Sequence, residues 1–392
     1  MMWILILFCA CDKSSDEPIG LSEELHRINI DLGTTIPVHT FDVISPIRYH
    51  RLDTSHLLNS TSTSRILRSF NQFAFLQNAP GSSDFVLFDS LGRFIHAVDG
   101  LHGGPKNFAH ACDVAAIFDK NRYDILVRNP TRIVSVSSDG SKMKEKVLPF
   151  SETYFDFYYN DGEYLFFSDN ILTLGEPNLR LTDDQFQLIS YFDPIDPIQV
   201  QTNTMNRDKL NYDSENDQYL YKPSLIYDSI YTIKQGSYQP FGVVEKTSAF
   251  SQKELRQIEQ SGAPFLKYKE LYKKYADQFP IMNLYVSGDY LIIPYGSSYL
   301  VIYDLDKQKT VTFKITSDEM KIYNMQKNSG HFFITRSAFQ ILENAQKVHQ
   351  QYDQYPNKVV QYLDYAKDVD ANDNLVIIDF EWERDFIDSY FK

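Results

Sequence analysis

Between Asp113 and Leu148 the chain alternates four short apolar runs with polar turns. Asp113–Phe118 closes on Asp119–Arg122, Tyr123–Val127 on Arg128–Thr131, and Arg132–Val136 on Ser138-Asp139-Gly140, after which Met143–Leu148 follows. Runs of this length, bounded by turn formers and rich in β-branched and aromatic residues, are strands. The Asp-Gly pair is the chemistry of a tight hairpin. Four strands on such short loops make one antiparallel meander, the size of a propeller blade. The same grammar recurs at Met282–Val286, Tyr290–Pro294, Tyr299–Tyr303 and Val311–Ile315. Partial versions are Phe85–Phe88 with Arg93–Val98, Tyr154–Tyr159 with Tyr164–Ser168, and the set Tyr219–Lys222, Ile230–Ile233 and Phe241–Glu245. A single four-stranded unit cannot bury a core alone, so the units must pack face to face. A closed ring is favoured because it leaves only short, protected edges.

Helical spacing is confined to two places. Ser251–Gln260 opens on a capping-box pattern, with Ser251 as N-cap and Glu254 three residues on. Pro264 interrupts it before Lys267–Gln278, and the second stretch is Ala338–Gln354. Both lie between strand runs and read as insertions over the rim of the ring.

Composition sharpens this picture. Of 392 residues, 28 are Phe, 27 Tyr and 2 Trp, an aromatic excess that suits pleated, half-buried surfaces. With 38 Lys and Arg against 52 Asp and Glu, the net charge is −14. An acidic chain with no basic stripe is repelled by phosphate backbones, which argues against nucleic acid as a partner. No apolar run reaches the roughly 18 residues of a membrane span.

The N-terminus reads as a targeting segment. Met1–Ala10 is an uninterrupted apolar run, and Phe8-Cys9-Ala10-Cys11 resembles a bacterial lipobox, whose cysteine becomes the lipid-bearing first residue after cleavage. On this reading residues 1–10 are a lipoprotein signal peptide. Cys11 is the lipidation site and residues 11–35 form a polar tether, opening Asp-Lys-Ser-Ser-Asp-Glu-Pro. The membrane is then a partner through the lipid on Cys11. Cleavage and lipidation leave Cys112 alone, so no intramolecular disulfide staples the fold, and Cys112 reads as a structural, packed thiol.

A family resemblance follows from Leu87-Phe-Asp-Ser-Leu-Gly-Arg-Phe-Ile95 and Gly100-Leu-His-Gly-Gly-Pro-Lys-Asn-Phe108. With Asp139-Gly140, Tyr221-Lys-Pro-Ser-Leu-Ile-Tyr-Asp-Ser-Ile-Tyr231 and Asp373-Asn-Leu-Val-Ile-Ile-Asp-Phe380, these resemble the 6-bladed β-propeller lipoproteins of Bacteroidota, relatives of the NHL-repeat propellers. His102 stands where that pattern carries its first glycine. The resemblance implies a six-bladed ring in the cell envelope and no established reaction. The expected fold is therefore all-β: a six-bladed β-propeller of four-stranded antiparallel blades with short helical insertions, spanning residues 36–383, with a C-terminal tail at 384–392. The Ile36–Tyr49 segment is expected to pair with Val376–Phe380 and close the ring, and seven blades is the alternative count.

Reactive signatures are sparse. His96, His102, His110 and Cys112 are the one group of metal-capable residues, but His110-x-Cys112 lacks the spacing of a zinc pair. Asp183-Asp184 and Asp193 with Asp196 could pose as a glycosidase dyad, yet sequence neighbours on a strand face opposite ways, and Asp forms turns. Ser141-Lys-Met-Lys144 matches S-x-x-K without its companion motifs. Gly100–Lys106 lacks phosphate-loop spacing, and Asn59-Ser-Thr61 fits a glycan acceptor. Tyr158-Tyr159 and Phe166-Phe167 read as inter-blade packing in preference to sugar platforms. No catalytic or metal-ligating residue is assigned, and no cofactor or metal is expected for folding. Two functions compete. The favoured one is a cell-envelope lipoprotein, on the outer membrane and facing the periplasm or the surface. Its propeller is a non-catalytic binding or scaffold module for a glycan, a peptide or a partner protein. The alternative is a calcium-dependent propeller hydrolase or lyase with its site in the central channel.

Overall fold

The computed structural model describes residues 25–58, 63–79, 82–99, 111–128, 131–150, 152, 154–168, 177–194, 210–213, 216–222, 229–234, 236–246, 252–274, 283–296, 298–317, 325–328, 331–351 and 356–392. Three strands come first: β1 (His26–Ile30), β2 (Ile36–His39) and β3 (Ile44–Arg51). Five blades follow in chain order. Blade 1 is β4 (Thr63–Ser69), β5 (Gln72–Ala79), β6 (Ser82–Asp89) and β7 (Phe94–Asp99). Blade 2 is β8 (Ala111–Ile117), β9 (Arg122–Val127), β10 (Arg132–Ser137) and β11 (Met143–Val147). Blade 3 is β12 (Asp156–Asn160), β13 (Glu163–Phe167), β14 (Pro177–Asp183) and β15 (Leu188–Pro194). Blade 4 is β16 (Leu210–Asp213), β17 (Gln218–Tyr221), β18 (Ser229–Lys234) and β19 (Ser237–Lys246). Blade 5 is β20 (Tyr285–Ser287), β21 (Tyr290–Tyr295), β22 (Tyr299–Asp304) and β23 (Lys309–Ser317). Blade 6 takes β24 (Gln326–Asn328), β25 (His331–Arg336) and β26 (Val376–Trp382) from the end of the chain and β3 from its beginning. The described residues thus form six sheets, and every blade is an antiparallel meander of four strands.

Each blade is apolar on both faces, because every face meets a neighbouring blade. Six separate apolar clusters result, one for each interface around the ring. Phe166 and Phe167, adjacent on β13, show the consequence of period-2 alternation: the first packs between blades 2 and 3, the second between blades 3 and 4. Aromatic side chains dominate these layers because a broad ring fills the gap between two twisted sheets, and tilted or edge-on pairs add to area burial. Phe157, Tyr164, Phe166 and Phe186 meet in this way at the interface of blades 2 and 3.

Closure is made by β3, which pairs antiparallel with β26 from Ile44↔Trp382 to Arg51↔Val376. The sequence places the closing segment at Ile36–Tyr49, and its second half does this. Its first half, β2, instead runs parallel along β23 as a fifth strand of blade 5. The tether read as residues 11–35 likewise contains β1, which pairs parallel with β19 as a fifth strand of blade 4. The N-terminal chain is therefore a belt laid successively on the outer edges of blades 4, 5 and 6. Gly242 permits the first contact: in register with His26, it would place a Cβ 2.6 Å from the His26 carbonyl oxygen. Alternating apolar residues, Ile28 with Ile30 and then Val38, bury the belt's inner face. The C-terminal tail is also part of the body, since Arg384–Asp388 is helical and Ile387 and Phe391 are buried against blades 5 and 6.

Helices occupy Gln252–Glu259, Pro264–Lys274, Ala338–Gln351 and Asn357–Lys367. The sequence reading finds the first three but not the fourth, whose start behind Pro356 lacks a side-chain cap. Ser251, the expected cap, lies outside the described residues. These insertions all fall where a blade's second strand joins its third, or where one blade joins the next. Because strands alternate in direction within a blade, both kinds of connection lie at one end of the ring. The opposite end carries tight turns, such as Phe70-Asn71, Asp161-Gly162 and Gly288-Asp289.

A buried carboxylate sits on the closing seam. Asp379 on β26 has no solvent exposure, and four basic side chains from three other strands surround it. Arg68 Nη1 of β4 lies 2.5 Å away and His331 Nδ1 of β25 3.1 Å; from β3, Arg48 Nη1 lies at 3.6 Å and His50 Nε2 at 3.7 Å. Burial pushes this carboxyl up, but His50, His331 and Arg68 outweigh burial and hold it below its ordinary value. A depressed carboxylate contributes stability that is complete above the unfolded-state value, about 3.9, and is lost as pH falls through the folded one. Thermal melting of the wild type from about pH 6 to pH 3 should therefore fall more steeply than that of Asp379→Asn, which starts lower and changes less. Parallel curves would refute this role of the seam.

Candidate functional site

The innermost strands of the six blades line a central chamber of about 810 Å³ that reaches the tight-turn end of the ring. Three blades meet on its wall through an ion triad. Arg65 of β4 places Nε 2.7 Å from Asp113 Oδ1 of β8 and Nη2 3.1 Å from Asp156 Oδ1 of β12. The Phe157 N–H donates to Asp113 Oδ2 at 3.0 Å. Burial pushes the Asp113 carboxyl up, opposed by the Arg65 charge and by that backbone hydrogen bond. The guanidinium fork suits this task, since one planar cation can serve two carboxylates at fixed angles.

Aromatic rings make up much of the remaining wall, and their hydroxyls are tied to protein. Tyr158 donates to the Leu210 carbonyl at 2.8 Å, Tyr212 to Asp217 at 2.7 Å and Tyr285 to the Met325 carbonyl at 2.7 Å. Tyr159 donates to Asp119 at 3.1 Å. What faces the chamber is therefore ring surface. At its mouth Phe118 stands 61 % exposed in the one-turn helix that closes β8. Beside it Asp161, Glu163 and Asp217 crowd the turns of blades 3 and 4; burial, then the two aspartates, raise the Glu163 carboxyl. Burial and Asp217 push Tyr212 up to about 12. A second, more polar crevice of about 650 Å³ lies between blades 4 and 5, bordered by Asp213, Gln218, Lys234 and Phe241.

Most residues singled out from the sequence turn out to be turn formers or packing. Asp183 Oδ1 accepts the N–H groups of Gln185 and Gln187 at 2.9 and 2.7 Å, and Asp184 pairs with Lys120 at 3.3 Å. Ser141 is held by Asp139 in the Asp139-Gly140 turn. His96 lies half-buried on β7 and Cys112 half-buried against the apolar layer between blades 2 and 3. Cys11, Asn59–Thr61, Gly100–His110 and Asp196 lie outside the described residues, and of Asp193 only the backbone is described. Among the described residues no three His, Cys, Asp or Glu side chains converge to hold a metal ion. Tyr158 and Tyr159 pack against the layers between blades 3 and 4 and between blades 2 and 3, as expected, and also line the chamber. The triad is not visible in the sequence reading. Its one local signal is Asp113 inside the otherwise apolar β8, a charge at a buried position of the strand.

The Asp-x-x-Gly motif does have a physical basis. Asp89 Oδ1 accepts the N–H groups of Leu91 and Arg93, both at 2.9 Å, while Oδ2 meets Arg93 Nε at 2.6 Å. Gly92, at φ +80°, abuts the Arg51 carbonyl so closely that a Cβ would overlap it. In the closing motif, Asn374 Nδ2 donates to the carbonyls of Asp53 and His56 at 2.8 and 2.7 Å, and Oδ1 accepts from Leu58 N–H at 2.8 Å. Both motifs join blade 6 to blade 1.

Six four-stranded blades around a channel define a six-bladed β-propeller. The chain belongs to the DUF5128 family, described as a 6-bladed beta-propeller, whose model matches residues 21–336. In fold it is similar to an exported protein of Bacteroides fragilis, at 14% identity and a TM-score of 0.66, over 92% of this chain and 100% of that one. Weaker similarity extends to YCF48 bound to D1 peptide, at 12% identity and a TM-score of 0.40, over 71% and 73% of the two chains. It extends also to BamB of Moraxella catarrhalis, at 10% and 0.38, over 68% and 66%. No curated protein matches the sequence.

Replacing Arg65 with Met strands two buried carboxylates and should destabilise the protein by about 3–5 kcal/mol in urea unfolding. Combining it with Asp113→Asn and Asp156→Asn removes the stranded charges and should restore most of that loss. A triple variant no more stable than Arg65→Met would refute the triad's electrostatic role.

Proposed function

We propose that this protein is a cell-envelope lipoprotein, anchored through Cys11, whose propeller is a non-catalytic binding module. Its site is the central chamber, and its ligand is a glycan, a peptide or a segment of a partner protein. The observation that carries the reading is the engaged chamber wall: Arg65 pairs with both Asp113 and Asp156, so the acids of the triad are taken by the chain's own cation. The chamber's tyrosine hydroxyls are engaged likewise, which leaves ring faces and the exposed Phe118 as the contact surface. Such faces stack on sugar rings and on peptide side chains. Export is supported by the apolar Met1–Ala10 run before Cys11 and by the likeness to an exported Bacteroides fragilis protein. No helix among the described residues is long and apolar enough to cross a membrane.

Two measurements test the two halves of this reading. Metabolic labelling with a palmitate analogue should mark the wild type and not Cys11→Ala; equal label on both overturns the anchor. Thermal-shift screening against envelope glycans, peptides and calcium should find a ligand whose affinity drops about tenfold or more, roughly 1.4 kcal/mol, in Phe118→Ala or Tyr212→Ala. A calcium-dependent hydrolase or lyase activity abolished by Asp113→Asn would replace the binding module with an enzyme.

A further inference from the structure

The helical hairpin between blades 4 and 5 has a charge opposite to that of the rest of the molecule. Residues 252–274 carry six Lys or Arg against three Glu, in a chain with 38 against 52. Helical spacing puts four of the cations on the outer faces, with Glu270 exposed among them and paired to Lys267. Ile258 and Leu271 are buried, which fixes the inner faces of the two helices. On the outer faces Lys253 and Arg256, three apart, and Lys269 and Lys273, four apart, are exposed. Leu266 lies three residues before Lys269 on that same outer face and is 64 % exposed. A cationic helix surface carrying one bare aliphatic side chain suits an anionic membrane interface, where phosphates attract the cations and the aliphatic group enters the acyl boundary.

The belt enters the ring on the blade that leads into this hairpin. β1, the first described strand, pairs with β19, and Ile30 stands in register with Lys246, the last residue of β19. The hairpin is the next described element after β19. Because β1 runs parallel to β19, the chain enters at His26 opposite Gly242, at the tight-turn end of blade 4, and the cationic hairpin follows Lys246 at the other end. A single acyl signal holds a protein weakly and reversibly, and a basic surface supplies the second signal that stable attachment needs.

We propose that the outer face of the 252–274 hairpin binds anionic phospholipid headgroups and so fixes which end of the propeller faces the membrane. The proposal rests on the Cys11 anchoring reading for its biological setting, but its test does not depend on lipidation. The full chain carrying Cys11→Ala reads the surface alone in co-sedimentation with vesicles of phosphatidylcholine, with or without about 30% phosphatidylglycerol. The expected result is binding to the anionic vesicles only, weakening steeply as salt rises from about 50 to 500 mM. Adding Lys253→Glu, Arg256→Glu, Lys269→Glu and Lys273→Glu should weaken it about tenfold or more at an unchanged melting temperature, which excludes misfolding. Leu266→Ser alone should weaken it less and leave the salt dependence intact. Equal sedimentation with both vesicles, sedimentation with neither, or an unaffected charge-reversed variant overturns the proposal. Loss of palmitate labelling with retained vesicle binding overturns only the anchor.

Discussion

Everything in this molecule depends on one long-range pairing, that of β3 with β26. It joins residues more than 300 positions apart, from Arg51 opposite Val376 to Ile44 opposite Trp382. Until it forms, blades 1 and 6 each expose an apolar face, and the wall of the chamber is incomplete. The entropy of closing so long a loop grows only slowly with its length, so many modest contacts suffice once they act together. Backbone pairing supplies the ladder, and the layer around Phe73, Phe75, Phe333 and Ile377 supplies the burial. Asp379 adds direction, because its bonds to Arg68, His331 and Arg48 are satisfied only when β3, β25, β26 and β4 are all in place.

The belt extends the closure beyond one blade. In blades 4 and 5 the outermost strands would present unpaired edges, and β1 and β2 cover both. Blades 2 and 6 manage their edges by charge instead, with Lys144, Glu145 and Lys146 on β11 and Arg48 and Arg51 on β3. Among the described strands, only the pairings of β1, β2 and β3 must wait for distant parts of the chain to meet, since the other strands pair with sequence neighbours.

The two ends of the ring have different chemistry for a topological reason. Tight turns gather at one end, where the chamber opens between Phe118 and the acidic turns of blades 3 and 4. Long connections gather at the other, so the basic 252–274 hairpin and the paired helices 338–367 stand there. The Arg65 triad holds the innermost strands of blades 1, 2 and 3 at fixed spacing on the chamber wall, so the rings that face the chamber are carried by strands rather than by long loops.

The short-range pattern was legible in the sequence because strand alternation and turn chemistry are local. The four strands of blade 2 and of blade 5, the Asp139-Gly140 hairpin and three of the helices follow from spacing alone. The Asp89-x-x-Gly92 motif carries a turn whose hydrogen bonds lie within five residues. The site was not legible, because Arg65, Asp113 and Asp156 lie 48 and 43 positions apart on three different blades, and only closure of the ring brings them within 3.1 Å. The belt was misread for the same reason: Ile28, Ile30 and Val38 alternate as strand residues do, but parallel edge partners 216 and 277 residues away leave no local mark. The sequence by itself determined the strands, their turns and the aromatic layers between them. The tertiary structure decided which strand ends the ring, which charges share a wall and which rings face the channel, since each depends on the relative placement of blades.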